Sequence, residues 1–158
     1  MSNFAGLIET FAAQGGALST WSAGLSREQL LATPATGAGA WSMHTLIVHM
    51  LDSDLAATHR MRRIVAEETP LLIAYDETLF AQRCQYASAD LKQVCELFAM
   101  NRAFTSAWLK TVPVSEFARV GVHNQRGKVT LEDMLKIYIE HVTHHEKFAM
   151  AKLRAFAK

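Results

Sequence analysis

The stretch Thr130-Leu-Glu-Asp-Met-Leu-Lys-Ile-Tyr-Ile-Glu-His-Val-Thr-His-His-Glu-Lys-Phe-Ala-Met-Ala-Lys-Leu-Arg-Ala-Phe156 decides the fold. No glycine or proline interrupts it, and its apolar residues recur at helical spacing. Thr130 precedes Asp133 by three, close to a capping box in which Asp replaces the usual Glu. A helix turns about 100° per residue, so with Leu131 at zero the residues Leu135, Tyr138, Val142, Ala149, Leu153 and Phe156 fall within roughly 40° of it. The stretch therefore predicts one long amphipathic helix running to the C-terminus.

Three more helices are expected upstream. The first, about Asn3 to Ala23, carries Phe4, Leu7, Ile8, Phe11, Leu18 and Trp21, with a bend where Gly15 and Gly16 interrupt it. A breaker-rich loop, Thr33 to Gly39, follows. The second helix is expected to start after Ser42 as N-cap and to run to about Glu68, where Thr69-Pro70 stops it. Its stripe is Leu46, Ile47, Met50, Ala57, Met61 and Ile64. From Pro70 to Ala87 only a helical turn at Leu79-Phe80 is suggested. The third helix starts at Ser88-Ala-Asp-Leu91 and reaches about Lys110. Val112 to Lys128, with Pro113, Gly121 and Gly127, reads as a long loop with room for a short hairpin. Without repeats or linkers, the pattern predicts an all-α four-helix bundle with long loops, one domain over residues 1–158.

Composition narrows the function classes. The chain has 158 residues, half hydrophobic and a fifth charged, with a formal charge of +1. That balance gives no electrostatic footprint for nucleic acid and no basic run for a membrane surface. No run of 18 apolar residues predicts a membrane span, and the opening MSNFAGLIET lacks the features of a signal peptide. Cys84 and Cys95 fit neither a disulfide framework nor a zinc ribbon, so both are expected as buried reduced thiols. A cytoplasmic protein is the expectation.

The chemistry rests on seven histidines: His44, His49, His59, His123, His141, His144 and His145. On the last helix His145 lies about 40° from the stripe, His141 about 80° and His144 about 140°. His141 and His145 thus point together toward the bundle interior, while His144 is a rival at the polar flank. On the second helix His49 lies at the edge of the stripe. His44 and His59 point outward, and His123 is expected in a loop. A buried imidazole needs partners for both nitrogens, and a metal ion supplies one. Paired histidines one turn apart also occur as hydrogen-bonded core residues, so spacing alone leaves both readings open.

With the histidines placed, the chain resembles the DinB/YfiT-like superfamily of four-helix-bundle metalloproteins. The likeness lies in Trp41-Ser42, six residues, then His49-Met-Leu-Asp52-Ser-Asp54, and later Gly127-Lys-Val-Thr-Leu131 and His141-Val-Thr-His-His145. Family members show Trp-Ser, six residues, His-Leu and an acidic residue, then His-x-x-His-His or His-x-x-x-His; Met50 stands where Leu is usual. The resemblance implies metal ligands at His49, His141 and His145, the three chosen by helix facing, and a divalent nickel, zinc or iron ion.

Three neutral ligands leave the ion's charge uncancelled and a coordination position open, for water or for a thiol. The resemblance allows a metal-dependent hydrolase or a transferase or isomerase using a low-molecular-weight thiol, acting on a small molecule, and it implies a homodimer. Asp52, one turn beyond His49, is the candidate to orient an imidazole or act as base, against the plain reading of a solvated carboxylate. Arg60, Arg62 and Arg63 are expected on an exposed charged face. The alternative is a non-catalytic binding or assembly module whose metal is structural or absent. Helix four lacks a Glu after His141, so His-Glu-x-x-His peptidase chemistry is excluded, and there is no Gly-x-Ser-x-Gly elbow or P-loop.

Overall fold

A computed structural model describes residues 4–33 and 39–157. The expected loop from Thr33 to Gly39 and the first residues, Met1 to Asn3, lie largely or wholly outside that set.

The first bundle helix is built from α1 (Phe4–Ala13) and α2 (Ala17–Ser22), joined by a 3₁₀ turn at Gln14–Gly16. That turn sits where the two glycines predict a bend, and Gly15 lies against the backbone of Ala99. A short α3 (Arg27–Leu31) follows, fixed by a capping box between Ser26 and Gln29. The second bundle helix is α4 (Met43–Ala66). Ser42 caps it as expected, its Oγ accepting from the Thr45 amide at 3.1 Å. The third is α6 (Leu91–Leu109), which follows α5 (Glu77–Arg83) and a 3₁₀ turn at Tyr86–Ser88. Asp90, within the stretch expected to start it, is its cap, Oδ1 accepting the Lys92 amide at 2.9 Å. The fourth, α7 (Leu131–Phe156), opens with the expected capping box. Asp133 donates its amide to Thr130 Oγ1 at 3.0 Å and accepts the Thr130 amide at 2.9 Å.

The bundle is completed by packing of α4 on α6 and α7, and of α1 on the same two helices. Beside it lies a small sheet of β1 (Leu71–Leu72), β2 (Val120–His123) and β3 (Gly127–Thr130). β2 and β3 form the short hairpin, and β1 joins β2 in parallel, with Leu72 opposite His123. The turn at residues 124–126 closes at Gly127, whose φ of +75° suits a residue without a Cβ. Gly121 lets the sheet lie flush on the bundle, since a Cβ there would come within 2.9 Å of Leu72 and 3.1 Å of Ile64.

The apolar core divides into two clusters. One holds Leu18, Trp21, Leu46, Phe98, Val142 and Ala149; the other holds Ile8, Phe11, Met61, Ile64, Leu131 and Leu135. Between them along the same helices lie Asp54 on α4, Arg102 on α6 and His141 on α7. Two core clusters with a polar layer between them set the level at which chemistry is available.

Candidate metal centre

Two long helices supply the site. α4 carries His49, 1% exposed, and α7 carries His141 and His145 one turn apart. One ring nitrogen from each lies within 4.8 Å of the other two. His141 Nε2 is 3.4 Å from His49 Nε2 and 3.0 Å from His145 Nε2. The rings meet edge to face, at centroid distances of 4.5 Å for His141–His145, 5.0 Å for His49–His145 and 5.3 Å for His49–His141. Trp41 covers His49 at 4.9 Å.

Burial makes all three rings neutral at neutral pH. It pushes His49 down to about 4, His145 to about 3 and His141 to about 2, the neighbouring histidines adding to the effect at His141 and His145. The neutral ring is the form that ligates metal. His141 Nε2 offers one in-plane position, a hydrogen or a lone pair, and so can serve only one of its two neighbours. The Nδ1 atoms of His49 and His145 are buried with no hydrogen-bond partner. A cation among the three Nε2 atoms would use all three lone pairs at once, so the donor set fits a divalent ion bound by imidazole. His144 is exposed, its ring lying outward against His145 and Phe148 at 5.0 and 5.2 Å.

The carboxylate near this cluster is not the expected one. Asp52 Oδ2 accepts a 2.5 Å hydrogen bond from the Tyr86 hydroxyl. Among the described residues it makes no hydrogen bond to His49, whose Nδ1 is unpartnered. Glu77, in the first turn of α5, instead brings Oε2 to 3.8 Å from His49 Nε2. Asp76-Glu77 does carry a helix-start signal, since Asp76 caps α5 by accepting the Leu79 amide at 2.9 Å. Nothing local ties Glu77 to a histidine 28 positions earlier.

Four side chains sit differently from their expected positions. His44 is buried, 3% exposed, because α3 and the turn at Tyr86–Ser88 cover the flank of α4 that periodicity assigns to water. Burial holds it below 6.5. His123 is buried in β2 rather than exposed in a loop, with Nδ1 accepting the Gln125 amide at 3.3 Å. Arg60 is 9% exposed, held by Tyr138 and the Ile73 carbonyl, while Arg62 and Arg63 do lie on the partly exposed face. Cys84 is exposed; only Cys95 is the expected buried thiol.

Two cavities flank the histidines. A polar one of about 150 Å³ is bordered by His141, Glu77, Ser53, Tyr75, Tyr138 and Arg60. A more apolar one of about 230 Å³ is bordered by His145, Trp41, Leu46 and Phe148. The histidine cluster is thus reachable from both sides.

Proteins similar to this chain in sequence carry related names. "Putative metal-dependent hydrolase YfiT" of Bacillus subtilis is 28% identical over 108 residues, 68% of this chain and 61% of that one. The chain therefore spans less than two thirds of that relative's length. A "Putative metal-dependent hydrolase" of Oceanobacillus iheyensis is 26% identical over 121 residues, 77% of this chain and 69% of the relative. The solved structure of Bacillus subtilis YfiT, described as a probable metal-dependent hydrolase with an unusual four-helix bundle topology, superposes with a TM-score of 0.90. That match covers 99% of this chain and 90% of the other at 24% identity, so it bears on the fold alone. A family model for the DinB superfamily matches residues 10–149, and the chain with this four-helix bundle belongs to that superfamily.

Proposed function

We propose that the chain is a metal-dependent hydrolase that holds one divalent ion (nickel, zinc or iron) on His49, His141 and His145. The observation that carries this reading is the convergence of the three ring nitrogens within 4.8 Å at the edge of a polar cavity. Three neutral imidazoles would leave such an ion its full charge, and the chemistry it would supply there is polarisation of a substrate oxygen and a lowering of the pKa of bound water toward about 7. Glu77 Oε2, at the same cavity and 3.8 Å from His49 Nε2, stands where it would take the proton of an attacking water. Trp41 packs on the His49 ring, and Asp52 keeps Tyr86 in place rather than taking part.

Metal content per chain, measured on protein purified without chelator, tests the site. One equivalent is expected in the parent and in Glu77→Gln, and almost none in His145→Ala. Glu77→Gln should lower hydrolytic turnover about 10²- to 10⁴-fold with its metal intact. Full metal content in His145→Ala would overturn the ligand set, and unchanged turnover in Glu77→Gln would remove its role as base.

A second reading, transfer or isomerisation through a low-molecular-weight thiol bound at the same position, is favoured by the apolar cavity on the His145 side. Thiol-dependent turnover in the metal-loaded protein would select it. Without metal or turnover, the non-catalytic binding module would stand instead. We also propose a homodimer. Leu97, Met100 and Phe104 form an exposed apolar stripe on α6. Sedimentation should give a dimer in the parent and a monomer in Phe104→Glu; a monomeric parent would refute it. Among the described residues no helix is long and apolar enough to cross a membrane.

A further inference from the structure

Arg60 is a buried guanidinium without a carboxylate. Nη1 donates to the Tyr138 hydroxyl at 2.7 Å and Nη2 to the Ile73 carbonyl at 2.6 Å. Among the described residues no Asp or Glu oxygen lies within 4.0 Å of it. An arginine has five N–H donors in a planar fork, so three of these remain for another acceptor. A buried cation is costly unless paired, yet the protein supplies only neutral acceptors.

Its surroundings indicate what pairs with it. Arg60 borders the polar cavity of about 150 Å³, whose rim also includes Arg126, exposed in the turn between β2 and β3. The charges of Arg60 and Arg126 both add to burial in holding the ring of His123 below 6.5, so the two cations share one end of the cavity. Tyr138 links that end to the histidine cluster. Its hydroxyl is bonded to Arg60, and its ring centroid lies 6.0 Å from that of His141. Glu77 also borders the cavity, and its carboxylate stands beside His49 instead.

We infer that Arg60 and Arg126 form an anion subsite, and that the substrate is a small molecule whose carboxylate or phosphate group is held there while its reacting group faces His141. Guanidinium forks match planar carboxylate and phosphate oxygens, and a second cation at the rim adds attraction without closing the entrance. The word substrate rests on the hydrolase reading above; the anion subsite itself does not.

The test uses inorganic phosphate and malonate as probes, titrated at constant ionic strength into chelator-treated protein, with the Nε–Hε signal of Arg60 followed by NMR. Both Arg126→Ala and the control Arg154→Ala alter exposed side chains and should leave the fold intact. A saturable shift of the Arg60 signal is expected, about tenfold weaker in Arg126→Ala, the size of one charge-assisted hydrogen bond, and unchanged in Arg154→Ala. The tighter of the two probes identifies the anion type. The same response is expected in His145→Ala. Loss of metal there with phosphate or malonate binding kept leaves the subsite standing apart from the metal reading. Failure of the Arg60 signal to saturate, equal affinity in Arg126→Ala, or binding that needs loaded metal would overturn the subsite.

Discussion

Two polar constellations interrupt the apolar core at the same level, and they differ in how completely the protein satisfies them. Around Arg102, 0% exposed, every donor is used. Nε and Nη2 donate to Asp54 Oδ1 at 3.0 and 2.8 Å, Nη1 to Gln14 Oε1 and the Phe11 carbonyl, and Nη2 to the Tyr138 carbonyl. Asn101 completes Asp54 from the other oxygen at 2.8 Å, and the rings of Phe11 and Phe98 lie over the guanidinium at 4.1 and 4.8 Å. Burial pushes the Asp54 carboxyl up and the Arg102 guanidinium down, while each charge opposes the shift of the other. On the other face the histidine cluster leaves two Nδ1 atoms unpartnered, and Arg60 keeps donors in reserve. The closed network ties α1, α4, α6 and α7 together; the open one faces a cavity. Unpartnered buried atoms occur elsewhere too, at His44 Nε2 and Ser106 Oγ, so it is the pairing of unused groups with an adjoining cavity that separates the histidine layer from the structural one.

The sharpest way to break this contrast is to cut the closed network. Arg102→Met should lower the stability of the metal-free protein by about 3–5 kcal/mol in urea unfolding, because Asp54 is left buried with a charge and no cation. His141→Ala should cost the metal-free protein far less than this. Equal losses would erase the distinction between the two layers.

A smaller effect sharpens it through pH. The folded values of His49, His141 and His145 lie below the ordinary 6.5, so the unfolded chain takes up protons first as the pH falls. Their contribution is complete above about pH 6.5 and is lost as the pH drops from there toward the folded values. Between pH 7 and pH 6 these three rings should take about 2 kcal/mol from the metal-free protein, roughly 0.7 each, and His44 and His123 add a loss common to parent and variant. The variant lacking all three histidines should show a flatter profile over that interval. The same slope in both proteins would mean that the three rings bind protons in the folded chain over the same range as in the unfolded one.

Much of the fold was legible because its signals are local. Thr130 and Ser42 cap their helices as spacing predicts, and Leu131, Leu135, Tyr138 and Val142 form the buried stripe. The facing of His49, His141 and His145 followed from the same arithmetic, and the rings meet where it points them. That arithmetic describes one helix against one core. It failed where a further segment covers the outer face of a helix, as α3 and the turn at Tyr86 do over His44, and as Ile73 does at Arg60. His123 was missed because a lone histidine beside turn residues gives no sign that the hairpin packs on the bundle.

The sequence by itself determined four amphipathic helices, their caps and which histidines share a face, since each depends on residues within a turn or two of one another. Only the tertiary structure decided which carboxylate reaches the histidines, that Asp52 belongs to Tyr86, and that Arg60 is buried without an acid while Arg102 has one. Those outcomes depend on contacts between segments far apart in the chain, and no periodicity within one helix specifies them.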